Sequence, residues 1–459
     1  MRIMNKLLIR MSRPNYQILF LVFGCFALNI LAPELFPQSQ EQSVLTLNEA
    51  VKLALTRNEK ALLTYQDEQI AQSKFVQARS YFLPQISGTG TYTRRPFEVS
   101  RQVGSQNIVI QRYNALAGTA QFNLSLFNPQ NIPTLKQYLS EREVTRLTAM
   151  ETRRQLAFEV CHAYLSTLSS QYLLEAARHR FDYVRQALEA AQARFKAGLV
   201  SSNDVTQAEL EYATAELGIT QAEGQVKNSF LQLSYLLNEP DIINKTLASP
   251  DFLIKASEEN FAESKQLIAE AQARRLDINS LKYHLQALQA LTLIPTLSYL
   301  PSLSFTGQLR YTNEPGLTGR YINWNLGMSL SWNLFDGFNR EASYKLTKAQ
   351  AAEADLNVKA ALRRVEVDVQ DALVALDNQR AALKQATVAY NIAKKNADET
   401  AELYRQGLTS MLQVEQANLS LFEAEVSLIQ QRYGLGVAYL NLEAALGLDP
   451  FGQEPKKEE

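Results

Sequence analysis

The chain has 459 residues, of which 20% are charged, and its formal net charge is −1 with a pI of about 6.4. This near-neutral balance gives no support for a nucleic-acid-binding surface, so no nucleic-acid partner is expected. The length allows two or three ordinary domains, and the abundance of Ala, Leu, Gln and Glu favours helices.

Residues 1–40 have the features of an export signal and leader. Basic residues precede an apolar stretch, Ile18–Ala32, and a polar segment follows it. Cys25 lies in a weakly lipoprotein-like context, so it is either lipidated or removed with the signal. The remaining cysteine, Cys161, cannot form an internal disulfide and is expected to be a small core residue. After the signal, no apolar run reaches the ~18–20 residues that a membrane helix needs.

The spacing of prolines predicts two long helices. Proline is absent from residues 137–238 and 338–448, and proline disrupts helix interiors. Within the second region, apolar residues from Val358 to Tyr390 repeat every 3.5 positions, which is typical of a coiled coil. A helix over Asn339–Gln406 would extend about 100 Å. Its equivalent in the first region is Leu135–Ala197.

Four strands are predicted from alternating apolar and polar residues. Asn114–Asn128 and Ile322–Phe335 alternate, and partner strands that begin at Gln85 and Ser302 precede them. Strands of about 10–13 residues match a bilayer, with lipid on the apolar side and water on the polar side. A half-buried sheet of a soluble domain would alternate in the same way. The side chains predicted to face lipid are Phe122, Leu124, Leu126, Phe305, Leu309, Trp324, Leu326, Met328, Leu330 and Trp332.

Both long helices are followed by the same short motif. At an offset of 209 positions, Gly198 aligns with Gly407, Leu199 with Leu408 and Ser201 with Ser410. The glycines fit the left-handed position that ends a helix, and the serines fit the N-cap of the next helix. Asp204 and Gln413, three residues after the serines, can complete capping boxes. Each motif therefore predicts a tight tip between antiparallel helices.

These elements divide the chain into two structural repeats. Residues 41–239 and 261–449 each have the order helix, two strands, long helix, tip and return helix. A linker at 240–260 joins them, and 450–459 is predicted to be a disordered tail. The predicted fold class is an α+β membrane protein, in which long antiparallel coiled-coil helices form a periplasmic α-barrel and four strands contribute to a shared transmembrane β-barrel. Four strands cannot close a barrel, and open edges are not tolerated in hydrocarbon, so two or more copies must share it.

An export signal together with a barrel predicts an outer-membrane protein whose helices lie in the periplasm. The loop between the first two strands would then face outwards. It carries four arginines, Arg94, Arg95, Arg101 and Arg112. These side chains either meet acidic groups of outer-membrane lipid or belong to a solvated loop.

Several segments together resemble the TolC-like outer-membrane efflux proteins. They are LTLNEAVKLALTRN from Leu45, GLVSSNDVTQAE from Gly198, SLSWNLFDG from Ser329, GLTSMLQVEQAN from Gly407 and NLEAALGL from Asn441. The resemblance covers nearly the whole mature chain. It implies a homotrimer with twelve strands and twelve helices, which docks to a periplasmic adaptor (membrane fusion) protein and an inner-membrane transporter.

The resemblance also assigns roles to the tips, which in this family close the tunnel and contact the adaptor. The residues that match the docking tips are Gly198, Leu199, Ser201, Gly407, Leu408 and Ser410. The candidate gate residues are Asp204, Gln413, Glu415 and Gln416. Asp204 has a second interpretation as a helix-capping acid. The double aspartate of some relatives is absent here, which argues against a strong cation-binding constriction.

The predicted function is that of a passive exit duct in a tripartite efflux or type I secretion system. The alternative is a periplasmic coiled-coil scaffold or adaptor. The three histidines are scattered, and no metal-ligand spacing or nucleophile motif occurs, so no catalytic residue, metal or cofactor is expected and the protein is predicted not to be an enzyme. The sequence does not indicate the exported substrate or the pump class.

Overall fold

A computed structural model describes residues 44–257, 261–315 and 318–454. The predicted export signal, with Cys25, lies outside the described residues, and so do the last five residues of the predicted tail.

The described residues are mostly helical, with a few antiparallel strands. The helices are α1 (Leu47–Arg57), α2 (Glu59–Ser80), α3 (Asn131–Lys196), α4 (Ser202–Leu237), α5 (Asp251–Ser257), α6 (Ser264–Arg274), α7 (Leu276–Leu291), α8 (Leu293–Leu297), α9 (Asn339–Gln406) and α10 (Met411–Ala445). The strands are β1 (Gln85–Arg94), β2 (Val99–Val103), β3 (Gln106–Gln111), β4 (Asn114–Phe127), β5 (Ser302–Thr312) and β6 (Ile322–Ser331).

Both predicted long helices are confirmed. Helix α9 has the predicted bounds, and the repeating apolar residues on it, such as Val365, Val369 and Leu376, are buried. Helix α3 begins four residues before the predicted Leu135. Pro133 does not prevent this earlier start, because it lies in the first turn of the helix, where a backbone N–H has no helical partner. No helix in the described part of the chain is both long and apolar enough to cross a membrane.

The four predicted strands form one antiparallel sheet in the order β1-β4-β5-β6. The long loop between β1 and β4 was not predicted to contain strands, but it folds into the separate hairpin β2–β3. A two-residue turn joins these strands, and Gly104 adopts the positive φ of 64° that such turns favour. Hydrophobic residues on both sides of this Gly-Ser pair were therefore an overlooked hairpin signal.

The helices pack in the same order as the strands. Near the sheet, α2 packs on α3, α3 on α7 and α7 on α9; farther along, α4 packs on α3, α3 on α10 and α10 on α9. Helix α2 leads into β1, β4 into α3, α8 into β5, and β6 into α9. Each strand is therefore connected to a helix that has the same place in the packing order as the strand has in the sheet.

The described part of the predicted linker, residues 240–257, is not a simple connection, because it contributes to the largest core cluster. It contains a 3₁₀ turn (Pro240–Asn244) and α5, and Ile242 and Leu253 are buried. The Tyr164 hydroxyl lies within hydrogen-bonding distance, 2.7 Å, of the carbonyl oxygens of both Leu45 and Ala248. Apolar side chains in a connecting segment gain stability by burial, which explains why the segment packs here.

Residues 450–454 are the described part of the predicted disordered tail, and they are held by specific contacts. Asp449 Oδ1 accepts hydrogen bonds from the N–H groups of Phe451, at 3.0 Å, and Gln453, at 2.7 Å. The Phe451 ring stacks on Phe252 at a centroid distance of 6.2 Å. The aspartate turn and the half-buried aromatic ring order residues 450–454, which were predicted to be disordered.

Candidate functional site at the helix tips and the sheet

The two helix ends have the same backbone geometry. At the first tip, the N–H of Leu199 donates to the carbonyl of Arg194 at 2.9 Å; at the second, the N–H of Leu408 donates to the carbonyl of Leu403, also at 2.9 Å. Gly198 and Gly407 have φ values of 73° and 82°. This hydrogen bond over five residues, together with the left-handed glycine that the sequence predicted, is a Schellman helix end.

The starts of the return helices differ. The N–H of Ser410 donates to Gln413 Oε1 at 3.3 Å, which completes the predicted capping box. At the first tip, Asp204 accepts a hydrogen bond from the Ser201 hydroxyl at 3.0 Å instead, and no side chain caps the helix there. The aspartate side chain is one methylene shorter than that of glutamine or glutamate. It does not reach back to the N-cap N–H, so the predicted box at Asp204 is wrong.

A small apolar cluster joins the two tips. Tyr404, Met411 and Val414 from the second tip pack with Ala191 and Ala208 from the first, and all five are buried. Tyr404 is only 2% exposed. The tips are therefore not independent projections but a packed pair within one chain.

Arg194 crosses from the first tip to the second. Its guanidinium donates to the carbonyl of Tyr404, which is near the negative end of the α9 dipole. It also lies over the Tyr404 ring, 4.7 Å from the centroid. The sequence did not indicate this residue. Its position in the last turn of α3 was the available signal, but its partner lies more than 200 residues away.

Glu415 is the polar centre of the contact. Its Oε2 accepts a hydrogen bond from the Gln207 amide at 2.9 Å, whereas Oε1 is buried with no partner among the described residues. Burial raises the pKa of the Glu415 carboxyl above its usual value; the Gln207 hydrogen bond lowers it, and the charges of Glu211 and Asp204 raise it. This part of the contact is therefore most favourable when the carboxyl is protonated.

The candidate gate residues separate into two sets. Asp204 and Glu415 are close enough to influence each other electrostatically, whereas Gln413 and Gln416 are exposed. Of the residues that match docking tips, Leu199 and Leu408 have the largest apolar exposure, 68% and 70%. The tips thus combine an internal polar contact with two outward-facing leucines.

The sheet register gathers the predicted apolar residues on one face. Leu124 is opposite Phe305, which is opposite Met328; Leu309 is opposite Trp324. The Phe122 and Phe305 rings meet edge to face at 5.9 Å. Most of this face is exposed in the single chain, and Trp324 is 72% exposed. Large apolar side chains that remain exposed over a whole sheet face require a lipid or protein environment.

Two predicted residues deviate from the regular face. A bulge between Ser125 and Phe127 leaves Leu126 out of register, and Phe127 instead lies opposite Leu303. Trp332 follows the last residue of β6, and its indole N–H donates to the carbonyl of Tyr299 at 3.0 Å. An alternating sequence does not reveal a bulge, because the position of the extra residue depends on how the strand pairs with its partner.

Among the described residues, no group of three or more His, Cys, Asp or Glu side chains is arranged to hold a metal ion. Cys161 is buried in the core, as expected from its sequence context. Burial raises the pKa of its thiol to about 12, so the thiol is unreactive at neutral pH.

Comparisons with known proteins agree with this arrangement. A family described as outer membrane efflux protein matches residues 50–239 and 267–448. The TolC protein of Vibrio cholerae is 23% identical over 81% of this chain and 83% of its own length. OprJ of Pseudomonas aeruginosa is 25% identical over 87% of this chain and 84% of its own. The CmeC channel of Campylobacter jejuni has the same fold, with a TM-score of 0.75 at 18% identity over 90% of this chain and 87% of its own.

These matches give the sheet and the long helices a location and a function. The protein is an efflux exit duct in the outer membrane, and its helical part lies in the periplasm. The family consists of channels rather than enzymes, and its match does not support the alternative of a periplasmic scaffold. The family match covers most of the sequence in two long segments, and the chain belongs to the outer membrane efflux protein family.

Proposed function

We propose that three copies of this chain close one continuous duct and that the helix tips dock to a periplasmic adaptor coupled to an inner-membrane transporter. The duct conducts substrate passively, because the energy is supplied by the transporter. The main support is the matched order of strands and helices, which leaves one unpaired edge on each side of the chain.

The unpaired edges are those of β1 and β6, since the sheet order is β1-β4-β5-β6. Unpaired backbone groups in hydrocarbon cost several kcal/mol each, so the β6 edge of one copy must pair with the β1 edge of the next. Two copies would give eight strands, a number at which side chains fill the barrel interior. Three copies, with twelve strands, are the smallest number that leaves an open passage.

The helices support the same assembly. Helix α9 carries a second apolar stripe, Val367, Val374 and Val388, whose spacing is a multiple of seven and whose members are 44–60% exposed. A heptad stripe of this kind requires a facing helix. On the opposite side of the chain, α2 and α4 expose Leu63 and Leu217, at 61% and 57%. We assign α9 of one copy to the groove of α2 and α4 in its neighbour.

The two halves of the chain, residues 41–239 and 261–449, act as structural repeats in this assembly. Each repeat contributes two strands and one tip, so a trimer has six tips at the periplasmic mouth. Asp204 and Glu415 are the gate candidates with an internal contact, and Leu199 and Leu408 are the adaptor-docking candidates. Outer-membrane lipid covers the apolar face of the sheet.

Native mass spectrometry in mild detergent tests the assembly. We expect a complex of three chains, near three times the mass of the mature chain. A protein that remains monomeric under these conditions would contradict the shared barrel.

Site-specific photocrosslinking in whole cells tests the docking tips. A photoreactive residue at position 199 or 408 should crosslink to one periplasmic adaptor protein. The matched control is Leu217, which is 57% exposed but lies along the α4 shaft; a probe there should crosslink only to another copy of the chain. Equal adaptor crosslinking from all three positions would contradict docking at the tips.

A further inference from the structure

The charges of the chain are distributed unevenly between the sheet region and the helices. Residues 85–127 and 302–331, which contain the strands and their outer loops, have six arginines, two glutamates and neither lysine nor aspartate. Their net charge is therefore +4, although that of the whole chain is −1. A local excess of one sign that opposes the remainder of the molecule creates a field to which a mobile ion responds.

One of these arginines lies on the polar face of the sheet. Arg310 is opposite Thr119 on β4 and Asn323 on β6, and Thr119 is opposite Thr89 on β1. Side chains alternate along a strand, so Arg310 shares its face with Gln308 and Thr306 and not with Leu309. The other polar side chains on this face are uncharged: Gln85, Ser87, Thr91, Thr93, Gln121, Asn123, Ser125, Ser302, Ser304, Thr312, Asn325, Ser329 and Ser331.

The Arg310 guanidinium is exposed, and no carboxylate of the described chain forms an ion pair with it. Arg95, in the outer loop, provides the contrast: it pairs with Glu314, which also accepts a hydrogen bond from the backbone N–H of Arg112 at 2.6 Å. The charge of Arg95 is thus partly neutralised by the protein. That of Arg310 remains available to ions in the solvent.

Arg310 is also far from the helices. It follows the first residue of β5, Ser302, by eight positions, which corresponds to about 26 Å along a strand. The polar face lines the interior when the apolar face contacts lipid. In a trimer, three guanidinium groups would therefore lie at one level near the outer end of the duct.

We infer that Arg310 is a selectivity residue of this channel, which makes the outer end of the duct favour anions over cations. The inference rests on the proposed trimeric duct. Rings of arginine or lysine are how pores attract anions, and rings of acidic residues attract cations. The substrates that this end would assist are those that carry a negative charge, and a substrate with only positive charge would meet an electrostatic barrier.

Reversal potentials across planar bilayers test the inference. Purified trimers are reconstituted under a KCl gradient, and the ratio of chloride to potassium permeability is measured for the wild type and for variants at position 310. Arg310→Gln should lower this ratio by roughly threefold, and Arg310→Glu should lower it further. Arg310→Lys, which retains the charge, should leave it near the wild-type value.

A matched control distinguishes the duct charge from the charge of the outer surface. Arg101 is exposed on the β2–β3 hairpin, which is not part of the four-stranded sheet, so Arg101→Gln should change the ratio much less than Arg310→Gln. Trimeric Arg310→Gln and Arg310→Glu channels with wild-type reversal potentials would overturn the inference and leave the duct intact. Wild-type protein that forms neither trimers nor channels would overturn the role of Arg310 and the proposed trimeric duct together.

Discussion

The two tips have the same backbone and different surroundings. Both end in a Schellman turn with a left-handed glycine, and both return helices start at a serine with extended ψ, 160° at Ser201 and 159° at Ser410. Yet Tyr404 is 2% exposed, whereas Phe195, 209 positions earlier, is 47% exposed. Local sequence therefore determines the turn, and the neighbouring helix determines which side chains become buried.

Contacts between the two hairpins accompany this difference. In the tip region the helices pack in the order α4, α3, α10, α9. Arg194 of α3 donates to the Tyr404 carbonyl on α9, and Gln207 of α4 donates to Glu415 on α10. The equivalent of Arg194 is Leu403, which has no side-chain donor, and that of Glu415 is Thr206, which has no carboxylate. The two tips therefore contribute different residues to the contact between them, although their turns have the same backbone geometry.

The largest expected effect comes from removing the buried aromatic ring at the second tip. Tyr404→Ala removes a buried ring from the cluster with Met411 and Val414, so it should lower the local opening free energy of the second tip by about 3 kcal/mol. Hydrogen exchange of the tip amides measures this change. Phe195→Ala, the exposed equivalent, should cost less than about 1 kcal/mol. Similar losses in both variants would contradict the asymmetry.

A smaller effect is expected at the tip glycines. Alanine at either position must adopt a positive φ, which costs about 1–2 kcal/mol. At Gly407 the added Cβ would also lie 3.3 Å from Arg194 Nη2, whereas nothing lies within 4 Å at Gly198. Gly407→Ala should therefore be the more destabilising of the two in the same exchange measurement.

The control for the glycine variants is Gly218→Ala. This glycine lies within α4, has no neighbour within 4 Å of an added Cβ and does not require a positive φ. Alanine there should stabilise the helix by about 0.5–1 kcal/mol. Stabilisation at Gly407 as well would show that the left-handed turn is not required.

The smallest expected effect concerns the carboxyl group of Glu415. The pKa of Glu415 is raised above 4.5 in the folded tip, so the protonated form is the one that the fold favours. Tip stability should be highest below about pH 4.5 and should decrease as the pH rises through the folded-state pKa. Glu415→Gln should remove this dependence and stabilise the tip at neutral pH by about 1 kcal/mol.

Hydrogen exchange at pH 5 and pH 8 measures the pH dependence at the tip. Glu209→Gln, at an exposed position of α4, is the matched control and should keep the wild-type dependence. Glu443, another carboxyl whose pKa is raised by burial, lies near the opposite end of α10 and should not influence tip amides. A Glu415→Gln tip that still loosens toward pH 8 would contradict the assignment.

The parts of the fold that the sequence predicted have strong periodic signals. The heptad of α9, the alternation in β4 and β6, and the glycine at each tip all depend on local spacing. The contact of Arg194 with Tyr404 has no such signal, because its two residues lie on different hairpins. The same is true of the bulge beside Phe127 and of the packed segment at 240–257, whose positions depend on distant parts of the chain.

The correspondence between strands and helices has a consequence for how such a chain can change in length. One residue added inside α9 would advance everything beyond it by ~1.5 Å and rotate it by about 100°. Every heptad contact past that point would then face the wrong way unless the antiparallel α10 gained a compensating residue. We expect insertions and deletions to be better tolerated in the segments between β1 and β4 and between β5 and β6, where added residues leave the helix contacts in register. We expect relatives to vary in length mainly at the end that meets the outside of the cell.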